Sequence, residues 1–158
     1  CYSEVGSGTT FNVYFPAIER HFEPAMETTA VMPAFGTETI LLVDDEAFVR
    51  DLGQRILSKA GYTVFTAVNG IEALDLFASK GKQIDLVILD LIMPEMGGEA
   101  CLKELLKIDS GAKILVASGY SADSSKRGPL ELGAKGFVSK PFRLKDLLGQ
   151  VRKVLDES

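Results

Sequence analysis

The stretch Asp85-Leu86-Val87-Ile88-Leu89-Asp90-Leu91-Ile92-Met93-Pro94, near the middle of a 158-residue chain, decides the fold. Four aliphatic residues follow one another without alternation, and a single acid interrupts the run just before a proline turn. A strand apolar on both faces belongs in the centre of a parallel sheet covered on both sides. Thr39–Val43 and Lys113–Ala117 read the same way, and Thr63–Ala67 and Gly136–Val138 complete a set of five. Between the runs lie helix-length stretches. Phe48, Leu52, Ile56, Leu57 and Ala60 keep helical spacing with Gly61 as a stop; Asn69 is placed to cap Ile71, Ala73, Leu74, Leu76 and Phe77, with Gly81 as the next stop. Ala100, Leu102, Leu105 and Leu106 form a third stripe, and Leu144, Leu147, Leu148, Val151 and Leu155 a fifth. The fourth helix, within about residues 121–132, is expected to be short or irregular because Gly128-Pro129 interrupts it. Five strands alternating with five helices predict an α/β doubly wound parallel sheet with right-handed crossovers.

Composition fits one such domain with chain to spare. With 46% hydrophobic residues and a mean hydropathy of +0.15, a packed core is expected rather than disorder. Seventeen basic against twenty-two acidic residues leave a net charge of −5, so nucleic acid and anionic membrane surfaces are not expected partners. Cys1 and Cys101 are the two cysteines, too few for a disulfide framework, and the chain reads as cytosolic. No run reaches the roughly 18–20 apolar residues of a membrane span. A start at Cys1 instead of Met reads as a segment of a longer protein.

Composition shifts near residue 37. Thr10-Phe11-Asn12-Val13-Tyr14-Phe15 is strand-like and closed by Pro16, while residues 17–37, with Pro24, Pro33 and Gly36 and no sustained period, read as a linker. Residues 1–37 carry −3 of the net charge (four Glu, one Arg) and the remainder −2.

In a doubly wound sheet ligands bind beyond the carboxyl ends of the strands. Here those ends carry Asp44-Asp45, Asp90, Ser118 and Ser139-Lys140-Pro141. Taken singly each has an ordinary explanation: the paired aspartates as a helix cap, Asp90 as a turn residue, Ser118 and Lys140 as exposed polar groups. Taken together they place three carboxylates, a hydroxyl and an ammonium at one edge. Carboxylates so crowded repel unless a cation sits among them, and Mg²⁺ suits oxygen donors that leave positions open for a phosphoryl oxygen.

The segments Ile40-Leu41-Leu42-Val43-Asp44-Asp45-Glu46, Asp85 through Gly98, Ser118-Gly119-Tyr120 and Gly133 through Phe142 resemble a response-regulator receiver domain over about residues 38–158. The resemblance implies a flavodoxin-like sheet of order 2-1-3-4-5. It also implies that Asp90 attacks the phosphorus of a phosphohistidine, with Asp45, Asp90 and the Ile92 carbonyl on Mg²⁺ and Asp44 acting through a water. Lys140 would pair with a phosphoryl oxygen, and its peptide bond to Pro141 would be cis. Ser118 and Phe137 would form the switch that couples the site to the helix-four and strand-five surface, and Ile92 and Tyr120 would tune attack by water. A chain such as Ile92 offers that water no hydrogen bond, so a durable phosphoryl group is expected.

Gly6-Ser7-Gly8-Thr9 ahead of residues 10–16 is similar to the end of a histidine-kinase ATP-binding domain. The expected arrangement is then residues 1–16 as a remnant of that domain, 17–37 as linker and 38–158 as the receiver of a hybrid sensor kinase. Expected partners are the parent histidine kinase and a histidine-phosphotransfer protein, with weak homodimers through helix four, strand five and helix five as a family habit. The parent is expected to be membrane-anchored, with this segment in the cytoplasm. Two rivals are a Mg²⁺-dependent aspartyl phosphohydrolase, disfavoured because Ile92 stands where an Asp-x-Asp motif has its second acid, and a binding module that no longer accepts phosphate.

Overall fold

The structure is a computed structural model and describes residues 1–6, 8–14, 36–119 and 127–157. Tyr120, the segment 121–126, Phe15 and most of the expected linker lie outside them. The chain divides into a unit ending at residue 30 and a second from residue 31 onward.

In the first unit β1 (Tyr2–Glu4) pairs antiparallel with β2 (Gly8–Thr10), Tyr2 opposite Thr10 and Glu4 opposite Gly8, and every described residue is exposed. This corrects the expected strand over Thr10–Phe15. Residues 11–14 alternate as a strand would but have no regular structure, because the hairpin supplies its ladder from Gly8–Thr10 and offers residues 11–14 no neighbour.

The second unit holds β3 (Thr39–Val43), α1 (Ala47–Lys59), β4 (Thr63–Ala67), α2 (Gly70–Lys80), β5 (Leu86–Asp90), α3 (Gly98–Ile108), β6 (Ile114–Ser118), α4 (Arg127–Glu131), β7 (Gly136–Ser139) and α5 (Leu144–Asp156). The sheet order is β4-β3-β5-β6-β7, all parallel, the expected 2-1-3-4-5 arrangement. Every residue of β5 and β6 is buried, as their unbroken apolar runs require. Alternate strand residues feed two cores. Leu41, Val43, Val87, Leu89 and Val116 meet one, with Phe77 and Leu102; Ile40, Leu42, Ile88 and Ala117 meet the other, with Leu57, Leu147 and Val151.

Helix ends follow from their sequences. α1 stops at Gly61, whose φ of +96° suits glycine; its N–H donates to Ser58 O and that of Tyr62 to Leu57 O, so the last carbonyls are satisfied. α2 starts at a capping box: Asn69 Oδ1 accepts from Glu72 N (2.9 Å) and Glu72 Oε2 from Val68 N (2.8 Å). Gly81 differs from expectation. It keeps right-handed helical geometry and leads into a 3₁₀ turn, Gly81–Gln83. Gly36, assigned to the linker from sequence, is buried, and its N–H donates to Ala60 O. Beside it Arg152 of α5 pairs with Glu38 (2.7 Å) and Asp156 (2.7 Å) at the rim where the strands begin.

Candidate functional site

Sheet register brings the predicted residues together. Val43 lies beside Leu89, Asp90 beside Ala117, and Ser118 beside Ser139, so Asp44, Asp90, Ser118 and Lys140 share the rim where the strands end. Carboxylate oxygens of Asp44, Asp45 and Asp90 lie within 4.8 Å of one another. Asp44 and Asp90 are buried, whereas Asp45 is exposed. Lys140 follows β7, its bond to Pro141 is cis, and its Nζ reaches Asp44 Oδ2 at 2.5 Å and Asp90 Oδ2 at 2.8 Å. Its own N–H donates to Ser118 O (2.8 Å), which ties the ends of β6 and β7 together.

The other carboxylate oxygens are oriented from the backbone. Asp44 Oδ1 accepts from Glu46 N (3.0 Å) and Asp90 Oδ1 from Ile92 N (3.3 Å). Burial pushes the Asp44 carboxyl above the usual range, with the Lys140 ammonium acting against it. For Lys140 burial alone would lower the pKa, but the hydrogen bonds it donates to Asp44 and Asp90 outweigh it and hold the ammonium above its ordinary value.

Three carboxylates and one ammonium leave a formal charge of −3 + 1 = −2, which one Mg²⁺ balances. All-oxygen donors with one exposed member match this hard ion, which binds through one or two carboxylates and keeps waters. The cluster opens into a cleft of about 620 Å³. Its lip includes Phe48, Leu52 and Ile92, which are 79%, 42% and 60% exposed. The helical spacing that put Phe48 and Leu52 on the apolar stripe of α1 is correct, but only the far end of that stripe, Leu57 and Ala60, is buried. Ser118 is buried, and Phe137 is half-buried against the core that holds Val116.

Arg50 was not singled out in the sequence. One turn into α1, its Nη1 donates to the carbonyls of Asp44 (2.6 Å) and Asp45 (3.2 Å), clamping the acidic loop. Its one signal is the position of a basic residue five after Asp45, where a helical side chain points back toward the preceding loop.

A family model for the response regulator receiver domain matches residues 40–152. The chain belongs to this family. Relatives of the receiver domain include the sensor kinase CckA of Brucella abortus, 39% identical over 99% of this chain and 18% of that protein. Another is the chemotaxis protein CheY of Thermotoga maritima, 40% identical over 73% of this chain and 95% of that one. Among solved structures, the crystal structure of the CheX-CheY-BeF3-Mg²⁺ complex from Borrelia burgdorferi matches with a TM-score of 0.73 and 30% identity, over 76% of this chain and 90% of that one. A putative response regulator from Chloroflexus aurantiacus matches at 0.72 and 28%, over 77% and 100%. Among the described residues no helix is long and apolar enough to cross a membrane.

Proposed function

We propose that Asp90 accepts a phosphoryl group from a phosphohistidine, carried by a histidine kinase or a histidine-phosphotransfer protein. The observation that carries this reading is the geometry of Asp90, held by Lys140 on one oxygen and the Ile92 N–H on the other, beside two more carboxylates in an open cleft. One carboxylate oxygen bonds to phosphorus as the phosphorus–nitrogen bond breaks, and the bonding pair leaves with the imidazole. An ionised aspartate needs no general base, so the protein's task is alignment and charge neutralisation.

Asp45, Asp90 and the Ile92 carbonyl would hold Mg²⁺, with Asp44 acting through a water, and the ion would offset charge spreading over the phosphoryl oxygens. Lys140 turns from Asp90 to a phosphoryl oxygen while its bond to Asp44 keeps it in place. Ser118 then hydrogen-bonds the new group, and Phe137 moves inward to carry the change to β7 and α4. The exposed apolar lip of Phe48, Leu52 and Ile92 supports a protein donor over a small molecule. The match of nearly the whole chain to a sensor kinase supports a hybrid kinase as parent, with residues 1–16 closing its ATP-binding domain, 17–37 linking and 38–158 receiving, in the cytoplasm.

The test is incubation of the chain with Mg²⁺ and a small acyl or amido phosphate, followed by intact-mass measurement. One phosphoryl adduct is expected, absent without Mg²⁺ and in Asp90→Asn. No adduct on the unaltered chain, or one that persists in Asp90→Asn, overturns the assignment.

A further inference from the structure

The loop between β5 and α3 carries the Ile92 carbonyl and is pinned at its far side by a residue 26 positions earlier in the chain. Asn69 Nδ2 donates to Glu95 Oε2 at 2.7 Å. The amide orientation is set by the capping box: Oδ1 already accepts from Glu72 N, so Nδ2 is the atom that faces Glu95. Asn69 is therefore a donor fixed to the first turn of a helix rather than a mobile side chain.

Glu95 has a φ of +65°, in the left-handed region that a glycine or asparagine adopts at lower cost. A glutamate there contributes what a glycine lacks, a carboxylate that reaches Asn69. The same corner is closed by packing, since a Cβ at Gly70 would lie 2.9 Å from Met96 Cγ and 3.1 Å from Cys101 Cβ. The loop is thus held at three places: Ile92 N on Asp90, Glu95 on Asn69, and Met96 against Gly70.

We infer that Asn69 is a positioning residue for the acidic site, holding the loop, and with it the Ile92 carbonyl, in place through Glu95. The inference rests on the reading of Ile92 as a Mg²⁺ ligand. Groups that orient metal ligands are typically worth about 10–100-fold in affinity.

Three variants of the full chain test it by Mg²⁺ titration, amide hydrogen exchange of residues 92–96 and thermal melting. Asn69→Asp keeps a good cap for α2 but sets a carboxylate against Glu95. Mg²⁺ affinity is expected to fall about tenfold, with faster exchange across the loop and little change in melting temperature. Glu95→Gln still accepts from Asn69 and is expected to bind Mg²⁺ as the parent does. The double variant Asn69→Asp/Glu95→Gln restores the bond with donor and acceptor exchanged, and affinity and protection are expected to return.

Charge alone predicts the opposite pattern, because Asn69→Asp adds a negative charge and would tighten Mg²⁺ binding while Glu95→Gln would weaken it. That pattern, or failure of the double variant to recover, overturns the inference. If the unaltered chain binds no Mg²⁺, the metal reading fails by itself, and the tether stands or falls on the exchange rates.

Discussion

Two alanine substitutions with the same chemistry should move the protein in opposite directions. Gly98 opens α3 directly beneath the end of β5; a Cβ there would lie 2.6 Å from Leu91 Cα and 2.9 Å from the Asp90 carbonyl carbon. Carbon atoms normally approach to about 3.5–4.0 Å, so the overlap is close to 1 Å, and it falls on backbone that has no rotamer to change. Overpacking of this kind costs about 1–3 kcal/mol, and the upper end applies because the obstruction is main chain. The gain of about 1 kcal/mol from replacing a helical glycine offsets part of it only, since Gly98 stands at the first helical position. A net loss of about 2 kcal/mol corresponds to a fall of roughly 8 °C in melting temperature for a domain of this size.

Gly149 lies within α5, exposed, with nothing within 4 Å of its added Cβ. Gly149→Ala should therefore stabilise by about 0.5–1 kcal/mol and raise the midpoint by roughly 2–4 °C. Both are read by calorimetry on the full chain. Gly98→Ala should also weaken Mg²⁺ binding, because Asp90 is the residue displaced, and Gly149→Ala should leave it unchanged. A Gly98→Ala chain that melts at or above the parent temperature would refute the steric reasoning.

Cys101 is fully buried and its thiol is pushed up to about 11 by burial, whereas Cys1 is exposed. Iodoacetamide at pH 8 should label Cys1 alone, and rapid double labelling of the native chain would show the core to be open. Arg152 beside Glu38 holds that carboxyl below its ordinary value of 4.5. The stability it contributes is complete above pH 4.5 and is lost as pH falls through the lower folded-state value, so Glu38→Gln should flatten the acid limb of a melting-temperature profile. An unchanged acid limb would show that the pair is energetically silent. Ile92 offers no hydrogen bond to an attacking water, so Ile92→Asn should shorten the life of the phosphoryl group several-fold in a mass-resolved decay; slower decay would refute the tuning role.

The central strands were legible because burial on both faces leaves a sequence mark, an unbroken aliphatic run, that few other environments share. Asp44, Asp90 and Ser118 were legible for a related reason: each is the first polar residue after such a run, Lys140 stands one place beyond Ser139 at the end of β7, and parallel register carries all the strand ends to one rim. What could not be read depends on distance across the fold. Asn69 and Glu95 are joined only by tertiary packing, and Arg50 acts on carbonyls, which carry no sequence signal. Periodicity placed Phe48 and Leu52 correctly on one face of α1, but it is silent on how far the sheet extends beneath that face. The same limit applies to α3, where Leu102 and Leu105 of the expected stripe are buried together with Cys101, while Ala100 is exposed. Alternation over Thr10–Phe15 suggested a strand, yet a strand exists only where another offers hydrogen bonds, and the short hairpin took that role one step earlier.

The Glu38–Arg152–Asp156 cluster has a bearing on modularity. It ties the first turn of backbone entering the receiver to the last turn of its final helix, on the rim one strand length, roughly 17 Å, from the aspartates. Entry and exit points of the folded unit are thus neighbours, and both face away from the reactive edge. A unit wired this way can be inserted between, or appended to, other polypeptides without masking its chemistry.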